Sequence, residues 1–139
     1  MIMAKVNENI FDVLKSVAQE VTNKEKMAAA IVKNGRIVST GYNSKKTHPI
    51  QEKFKKNEHA IYLHAEIDAI IKALRTLKVT DLQYCDIYIV RIKKKKCFDK
   101  EFVWGLSKPC EGCLKAILQF GIKRIIYTND ENEYEVVNI

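Results

Sequence analysis

The sequence contains little glycine and proline, with only 5 and 2 of these residues in a chain of 139. This scarcity argues against a disordered or fibrous chain, because both classes are rich in them. No stretch approaches the ~20 consecutive apolar residues that a membrane-spanning helix needs. The opening residues, MIMAKVNEN, also lack the apolar segment of a secretory signal. We therefore expect a globular, cytoplasmic protein with no membrane partner.

Cysteine is also sparse, and the four present are Cys85, Cys97, Cys110 and Cys113. Short secreted chains use cysteines as a disulfide framework. An intracellular chain with a Cys-x-x-Cys pair more often binds a metal or performs redox chemistry. Without a secretory signal, the second interpretation is the stronger one.

Acidic residues are outnumbered, since 24 Lys and Arg stand against 17 Asp and Glu, which gives a formal net charge of +7. This excess favours anionic partners such as nucleotides or nucleic acid, without choosing between them. A lysine-rich surface that needs no partner is the plain alternative.

The order of predicted elements indicates an α/β fold in one domain, residues 1–139, because no repeat, linker or change of composition divides the chain. Helical spacing of apolar residues predicts helices over residues 8–22, 61–77 and 109–120. A hairpin is predicted at MAAAIVK-NG-RIVSTGYN, since Asn34-Gly35 is a favoured two-residue turn. Residues 44–58 predict a polar, basic loop, with or without a short helical piece. Further strands are predicted at CDIYIVRI and KRIIYTN, and EYEVVNI is interpreted as a short last strand or a tail, so helices should cover a mixed sheet.

Two predicted helix starts carry residues with metal and proton chemistry. His64 and Glu66 lie at one start, and Cys110 and Cys113 lie at the other. Helix N-termini present unpaired N–H groups and a partial positive charge, which favours thiolates. If the two starts converge, His64, Cys110 and Cys113 make a catalytic-type zinc site with three protein ligands. Glu66 would then lie beside the open position, where a carboxylate can move protons to and from activated water.

Each half of this pattern has an ordinary alternative. A histidine at a helix start is more often a cap or core residue than a ligand. A Cys-x-x-Cys pair at a helix start can be a redox pair, although no βαβ unit precedes this one in the expected place. A structural four-cysteine site would need a second close pair, and Cys85 and Cys97 are far apart. The combination of His-Ala-Glu with Pro-Cys-x-x-Cys is much more specific than either half.

That combination resembles the zinc-dependent cytidine and deoxycytidylate (dCMP) deaminase family, whose signature is H-x-E followed by P-C-x-x-C. The segments HAEIDAI, GRIVSTGYN and PCEGCLKAILQFGIKRIIY are similar to the corresponding family segments, with Asp68 where Asn is common. The resemblance implies a cytidine deaminase-like three-layer α/β/α sandwich with a mixed central sheet of about five strands. It also implies Zn²⁺ as cofactor, a homo-oligomer, and a compact form like those of phages.

The resemblance further assigns residues to roles. It places zinc on His64, Cys110 and Cys113, and proton transfer on Glu66. It suggests that Asn43 contacts the base or sugar, where the plain alternative is a residue that ends a strand. It also suggests that the backbone near Ala65 contacts the amide edge of the base.

Two departures from the family pattern concern the substrate pocket. The strand YIVRI is separated from Pro109 by an insertion at residues 93–108, which we interpret as a β-hairpin beside the site. The usual Gly-x-Pro after Gly-Tyr-Asn is replaced by SKKTHP. Deoxycytidylate deaminases commonly bind phosphate and effectors in that region. Because the segment differs here, the resemblance does not imply control by nucleoside triphosphates for this chain.

A substrate phosphate would need positive charge. We favour Lys45, Lys46 and His48, because they closely follow Asn43. Arg91 and the lysines at 93–96 are a second group, for which a solvated turn is the more frequent reason.

Two further possibilities concern the insertion and its neighbours. His48, His59 and Cys97 could hold a second, structural zinc, although no spacing supports it. Trp104, with Phe98 and Phe102, could stack on a base, although aromatic residues in an insertion more often cover a core edge or interface.

Hydrolytic deamination of a free cytosine nucleotide, dCMP to dUMP and ammonia, is therefore the leading hypothesis. A nucleic-acid deaminase of the tRNA adenosine or single-stranded type is the second, because phosphate contacts dominate such binding and the chain is basic. A zinc-stabilised module without catalysis is the third, but it would not need Glu66 and would prefer four protein ligands.

Overall fold

The computed structural model describes residues 5–55, 62–96 and 100–139. Four helices are present in these ranges: α1 (Asn9–Gln19), α2 (Pro49–Lys53), α3 (Ala65–Ala73) and α4 (Glu111–Gln119). A 3₁₀ helix covers Val79–Tyr84. Six strands are present: β1 (Lys26–Lys33), β2 (Arg36–Tyr42), β3 (Cys85–Lys94), β4 (Phe102–Gly105), β5 (Arg124–Thr128) and β6 (Tyr134–Asn138). Among the helices described, none is long and apolar enough to cross a membrane.

The strands form one mixed sheet in the order β2-β1-β3-β5-β6. The pair β3 and β5 is parallel, and α4 lies in the connection between them, while the other pairs are antiparallel. The insertion adds a sixth strand, because β4 pairs antiparallel with the end of β3, beyond the residues that pair with β5. The predicted mixed sheet and inserted hairpin are confirmed, with one strand more than the five expected.

Helices cover both faces of the sheet, as the alternation along β1 requires. Ala29 and Ile31 belong to the core shared with α3 and α4, whereas Ala28, Ala30 and Val32 belong to the core shared with α1. Successive side chains of a strand point to opposite faces, so one strand can serve both cores. All five side chains are almost fully buried. The predicted three-layer α/β/α sandwich is therefore confirmed.

The turn between β1 and β2 has the predicted chemistry. Asn34 and Gly35 both have positive φ, at 53° and 75°. A type I′ turn requires this geometry at both central positions, and Asn-Gly adopts it at low cost.

The helices that carry the site are shorter than predicted at their N-terminal ends. The helix expected at 109–120 begins at Glu111, because Cys110 is extended (ψ 167°) and acts as its N-cap. Pro109 therefore precedes the helix instead of occupying its first turn. The helix expected at 61–77 covers Ala65–Ala73, with His64 extended as its N-cap.

The insertion packs on the α1 side of the sheet. The ring of Trp104 lies 5.1 Å from that of Phe11, and Phe102 packs against the same core. These contacts support the core-edge alternative for Trp104 over base stacking. Phe98 lies outside the described residues.

Candidate active site

The N-terminal ends of α3 and α4 lie close together. Nδ1 of His64, the N-cap of α3, lies 3.2 Å from Sγ of Cys113 and 3.6 Å from Sγ of Cys110. Cys110 is the N-cap of α4, and its Sγ accepts a hydrogen bond from the backbone N–H of Cys113 at 3.4 Å. The structure therefore brings together three residues that lie up to 49 positions apart in the chain.

Ser107 fixes the path of the chain toward Cys110. This fully buried side chain donates to the carbonyl of Ile89 (2.8 Å) and accepts from the N–H of Thr128 (2.8 Å). The N–H of Ser107 donates to the carbonyl of Thr128 at 2.9 Å. The residue three positions before Cys110 is therefore anchored to the two parallel strands β3 and β5.

The donor set fits a zinc ion. Nδ1 of His64 and the two Sγ atoms all lie within 4.8 Å of one another. Around tetrahedral zinc, with Zn–S near 2.3 Å and Zn–N near 2.0–2.1 Å, a nitrogen and a sulfur ligand are ~3.6 Å apart. The observed separations of 3.2 and 3.6 Å need only small adjustments to reach that value. Three soft or borderline ligands leave the fourth position open, as in catalytic zinc sites.

The two thiols differ in acidity because they share a proton. A hydrogen bond from the Cys113 thiol, supported by His64, lowers the pKa of Cys110 to about 4. The same hydrogen bond and burial raise the pKa of Cys113. The pKa of His64 is raised mainly by its hydrogen bond to Cys110. The pair thus carries one negative charge readily, and a divalent cation can replace the shared proton.

Glu66 is buried beside this group, with 2% of its surface exposed. It lies in the first turn of α3 and lines the same cavity as His64 and Cys110. Burial raises the pKa of its carboxyl, because removing water disfavours the charged form. A carboxyl with a raised pKa can both accept and return a proton near neutral pH.

A cavity of about 470 Å³ opens over these groups. Its volume lies within the range of small-molecule sites. Its walls are formed by the end of the loop after α1, the loop after β2, the start of α3 and the approach to α4. The lining residues are Asn23, Lys24, Glu25, Met27, Asn43, Ser44, Lys45, Tyr62, Leu63, His64, Ala65, Glu66, Lys108 and Cys110.

The predicted substrate-binding residues are only partly gathered there. Asn43, Ala65 and Lys45 line the cavity, whereas Lys46 lines an adjoining cavity of about 740 Å³ and His48 lines neither. Nδ1 of His48 instead accepts from the N–H of Ile50 (3.1 Å) and caps α2.

Asn43 also has a structural role at this wall. Its Oδ1 accepts from the N–H of Met27 and its Nδ2 donates to the carbonyl of Glu25, both at 2.9 Å. The side chain therefore joins the end of β2 to the start of β1.

Two lysines of the cavity were not predicted from the sequence. Lys24 follows α1, and Lys108 directly precedes Pro109 of the Pro-Cys motif. The position of Lys108 next to the motif could have predicted that it lies near the site, whereas nothing in the sequence around Lys24 could have done so. Together with Lys45, three lysines therefore line the cavity. The acidic residues that line it are Glu25 and the buried Glu66.

The second predicted group of basic residues, within 91–96, does not line the cavity, although Arg91 pairs with Glu25 of its wall (Nη2 to Oε1, 3.7 Å). Nζ of Lys93 contacts Oδ1 of Asp130 at 2.7 Å and lowers the pKa of that carboxyl, and Lys94 lies over the ring of Phe102. Of the residues proposed for a second zinc, His59 and Cys97 lie outside the described residues.

The family model described as "Cytidine and deoxycytidylate deaminase zinc-binding region" matches residues 4–129. No curated protein sequence matches the chain.

Solved structures that share the fold include two of a phage enzyme and one of a bacterial enzyme. The dCMP deaminase of cyanophage S-TIM5 in apo form superposes with a TM-score of 0.60 at 24% identity, covering 88% of this chain and 81% of that one. Its complex with dCMP and dUMP gives 0.59 at 22% identity, covering 88% and 79%. Cytidine deaminase from Burkholderia pseudomallei gives 0.66 at 17% identity, covering 96% and 93%.

Proposed function

The chain belongs to the cytidine and deoxycytidylate deaminase family of zinc-dependent hydrolases, and we propose that it converts dCMP to dUMP and ammonia. The observation that carries this proposal is the cluster of His64, Cys110 and Cys113 beside one cavity, which the buried Glu66 also lines. A nucleotide pocket, three metal ligands and a proton carrier are the parts that the reaction needs.

Each part has a role in replacing the amino group at C4 of cytosine by oxygen. His64, Cys110 and Cys113 would hold the zinc, which when bound acidifies a water molecule to a pKa near ~7. A carbon–oxygen bond forms at C4 and the carbon–nitrogen bond breaks, so that one water gives uracil and ammonia. Water loses two protons in the process: one ends on N3 of the ring and the other on the departing nitrogen, and Glu66 can take up and deliver them.

The start of α3 would also orient the base. The first N–H groups of a helix have no partner within the helix, so those near Ala65 can donate to a carbonyl of the ring. Asn43 can accept from the sugar through the second lone pair of Oδ1, because the first is used by Met27.

The cations of the cavity support a nucleotide in preference to a nucleoside. Lys24, Lys45 and Lys108 are exposed and line the cavity that contains the metal-ligating group. A phosphate is the anionic group that distinguishes dCMP from deoxycytidine, and lysine ammonium groups can bind it. Lys46 and His48 stay predictions for this contact without support from the cavity.

The test is the loss of cytosine absorbance when zinc-loaded protein is mixed separately with deoxycytidine, cytidine, CMP, dCMP and dCTP. We expect rapid loss with dCMP. Lys108→Ala should raise KM for dCMP by about tenfold, equivalent to ~1.4 kcal/mol, and leave the slow reaction of deoxycytidine unchanged. Lys123→Ala removes an exposed lysine far from the cavity and serves as control. Equal rates with cytidine and dCMP would favour a nucleoside substrate instead.

A nucleic-acid substrate is the second candidate, and the observation in its favour is the net charge of +7. The two candidates differ in the dependence of binding on salt. A polynucleotide contacts many phosphates and gives a steep slope, whereas a mononucleotide gives a shallow one. Activity on tRNA or single-stranded DNA with a steep slope, and none on dCMP, would replace the first proposal by the second.

We further propose that the protein acts in the cytoplasm as a homo-oligomer. A reducing compartment keeps thiol ligands available for metal. Leu114 and Leu118, one turn apart on α4, expose 37% and 46% of their surfaces and could contribute to a subunit contact. Light scattering after size-exclusion chromatography would measure the oligomeric state, and a monomer of 16.0 kDa would contradict it.

A further inference from the structure

The side chain of Gln51 is buried beside the metal-ligating group although it belongs to a separate short helix. Only 1% of its surface is exposed. Its Oε1 accepts a hydrogen bond from the backbone N–H of His64 at 3.0 Å. A buried polar side chain that makes a contact across 13 positions of the chain calls for an explanation.

The N-cap of α3 lacks its usual partners. In a capping box, the side chain at the third helical position accepts from the N–H of the N-cap residue. That position in α3 is Ile67, which has no acceptor and is fully buried in the core. The His64 side chain forms no capping bond either, because its Nδ1 faces the two cysteines. Gln51 supplies from α2 the acceptor that the helix itself does not offer.

Neighbouring backbone bonds hold the same segment. The N–H of Leu63 donates to the carbonyl of Lys46 (2.9 Å), and the N–H of Ser44 donates to the carbonyl of Leu63 (3.1 Å). Gln51 extends this short ladder by one residue, to the metal ligand. The atom of His64 that faces the two cysteines is Nδ1, which is bonded directly to Cγ and so lies close to the backbone. A displacement of the His64 backbone therefore moves this metal-ligating atom by a similar amount.

We propose that Gln51 is a positioning residue of the metal site, which holds His64 in the geometry that zinc requires. The inference rests on the metal site of the proposed function, but not on the substrate or the reaction. Groups that orient metal ligands from outside the ligand set commonly change metal affinity by about 10–100-fold. Gln51 would act on His64 through the hydrogen bond to the His64 backbone N–H.

The test compares zinc affinity among three variants, by competition with a chelator and without substrate. Gln51→Met keeps a similar length but removes the acceptor, and we expect its affinity to fall by about 10–100-fold. Gln51→Glu keeps an acceptor oxygen and should retain most of the affinity. Glu52→Gln alters the exposed neighbour on the same helix and should bind zinc like the wild type. Wild-type affinity in Gln51→Met would overturn the proposal.

A second measurement needs no variant and tests the hydrogen bond itself. The hydrogen bond to Gln51 should protect the His64 amide from hydrogen exchange in the zinc-loaded wild type, to the level of amides inside α3. An N-cap amide without an acceptor exchanges quickly, so rapid exchange at His64 would also overturn the proposal. Both measurements are independent of turnover, so a failure of the dCMP proposal would leave them interpretable.

Discussion

The carboxylate of Asp68 accepts a hydrogen bond from the backbone N–H of Tyr42 at 3.1 Å. The same oxygen accepts from Nζ of Lys72 at 2.9 Å, and that ammonium lies over the Tyr42 ring. Asp68 therefore joins the end of β2, which leads into Asn43, to the helix that carries Glu66. This carboxylate therefore helps to hold two walls of the cavity together.

Replacing Asp68 tests this connection. Asp68→Ala leaves the N–H of Tyr42 and the Lys72 ammonium without this partner, so we expect the free energy of unfolding to fall by about 1–3 kcal/mol. Asp68→Asn keeps an acceptor oxygen and loses only a partly exposed ion pair, which should cost less than about 1 kcal/mol. Urea unfolding of the metal-free proteins measures both. Equal losses in the two variants would contradict the role of the hydrogen bond.

Gly41 permits the closest approach of β2 to α3. A Cβ atom there would lie 2.3 Å from the backbone nitrogen of Ala69 and 2.7 Å from the carbonyl oxygen of Ala65. Because both neighbours are backbone atoms of a packed helix, Gly41→Ala should destabilise the fold by about 1–3 kcal/mol or more. It should also weaken zinc binding by displacing the start of α3.

Gly105→Ala is the matched control for Gly41→Ala. Its new Cβ would meet only the Arg91 and Lys93 side chains at 3.4 Å, an ordinary contact distance. Thermal unfolding with and without zinc distinguishes the two variants. Equal changes in Tm would show that α3 can move away from β2 at little cost.

Glu66→Gln tests proton transfer while preserving the shape of the buried side chain. We expect kcat to fall by about 10²–10⁴-fold, the usual contribution of a positioned acid or base. Zinc content and fold should be retained, because Glu66 is not a member of the ligand set. Metal analysis and circular dichroism provide those controls. Turnover by Glu66→Gln or Glu66→Ala at the wild-type rate would exclude the proposed role.

The acidity of Cys110 predicts an unusual alkylation profile for the metal-free protein. Its pKa of about 4 means that the thiolate is already populated well below neutral pH. Its reaction with iodoacetamide should therefore change little between about pH 6 and about pH 8, whereas an ordinary thiol reacts ~10-fold faster for each unit in this range. Zinc should suppress the reaction by occupying the sulfur.

Cys85 is the internal control, because it is buried and burial raises its pKa. Peptide mapping by mass spectrometry identifies the modified cysteine. A rate at Cys110 that increases tenfold per pH unit, or one that zinc leaves unchanged, would contradict the assigned geometry.

Ser107→Ala removes the link between the approach to Cys110 and the two parallel strands. The buried N–H of Thr128 would lose its acceptor, which should cost about 1–3 kcal/mol of unfolding free energy. Urea unfolding measures this cost, with Ser39→Ala as a comparison in which a partly exposed hydroxyl loses its bond to the Ala69 carbonyl. A smaller effect at Ser107 than at Ser39 would contradict the importance of burial.

The sequence alone determined the local features of this protein. Asn34-Gly35 specifies its turn through the backbone freedom of two residues, and the alternation along β1 specifies a strand between two cores. The motifs at two helix starts identified four residues that do lie together in the folded chain. These features could be predicted because each depends on residues close together in the chain, or on a motif whose chemistry requires convergence.

Contacts between distant segments were decided only by the tertiary structure. Lys93 follows a strand in a basic run, yet it pairs with Asp130, whereas Lys24 and Lys108 share a cavity with Lys45. Gln51 lies in a segment that reads as a polar loop, yet it is buried against His64. A charged or polar residue has no sequence period that reveals its partner, since the partner is set by sheet order and by the paths of the connecting loops. The sequence thus specified the chemistry of the metal group, and the fold decided which cations and which acceptor surround it.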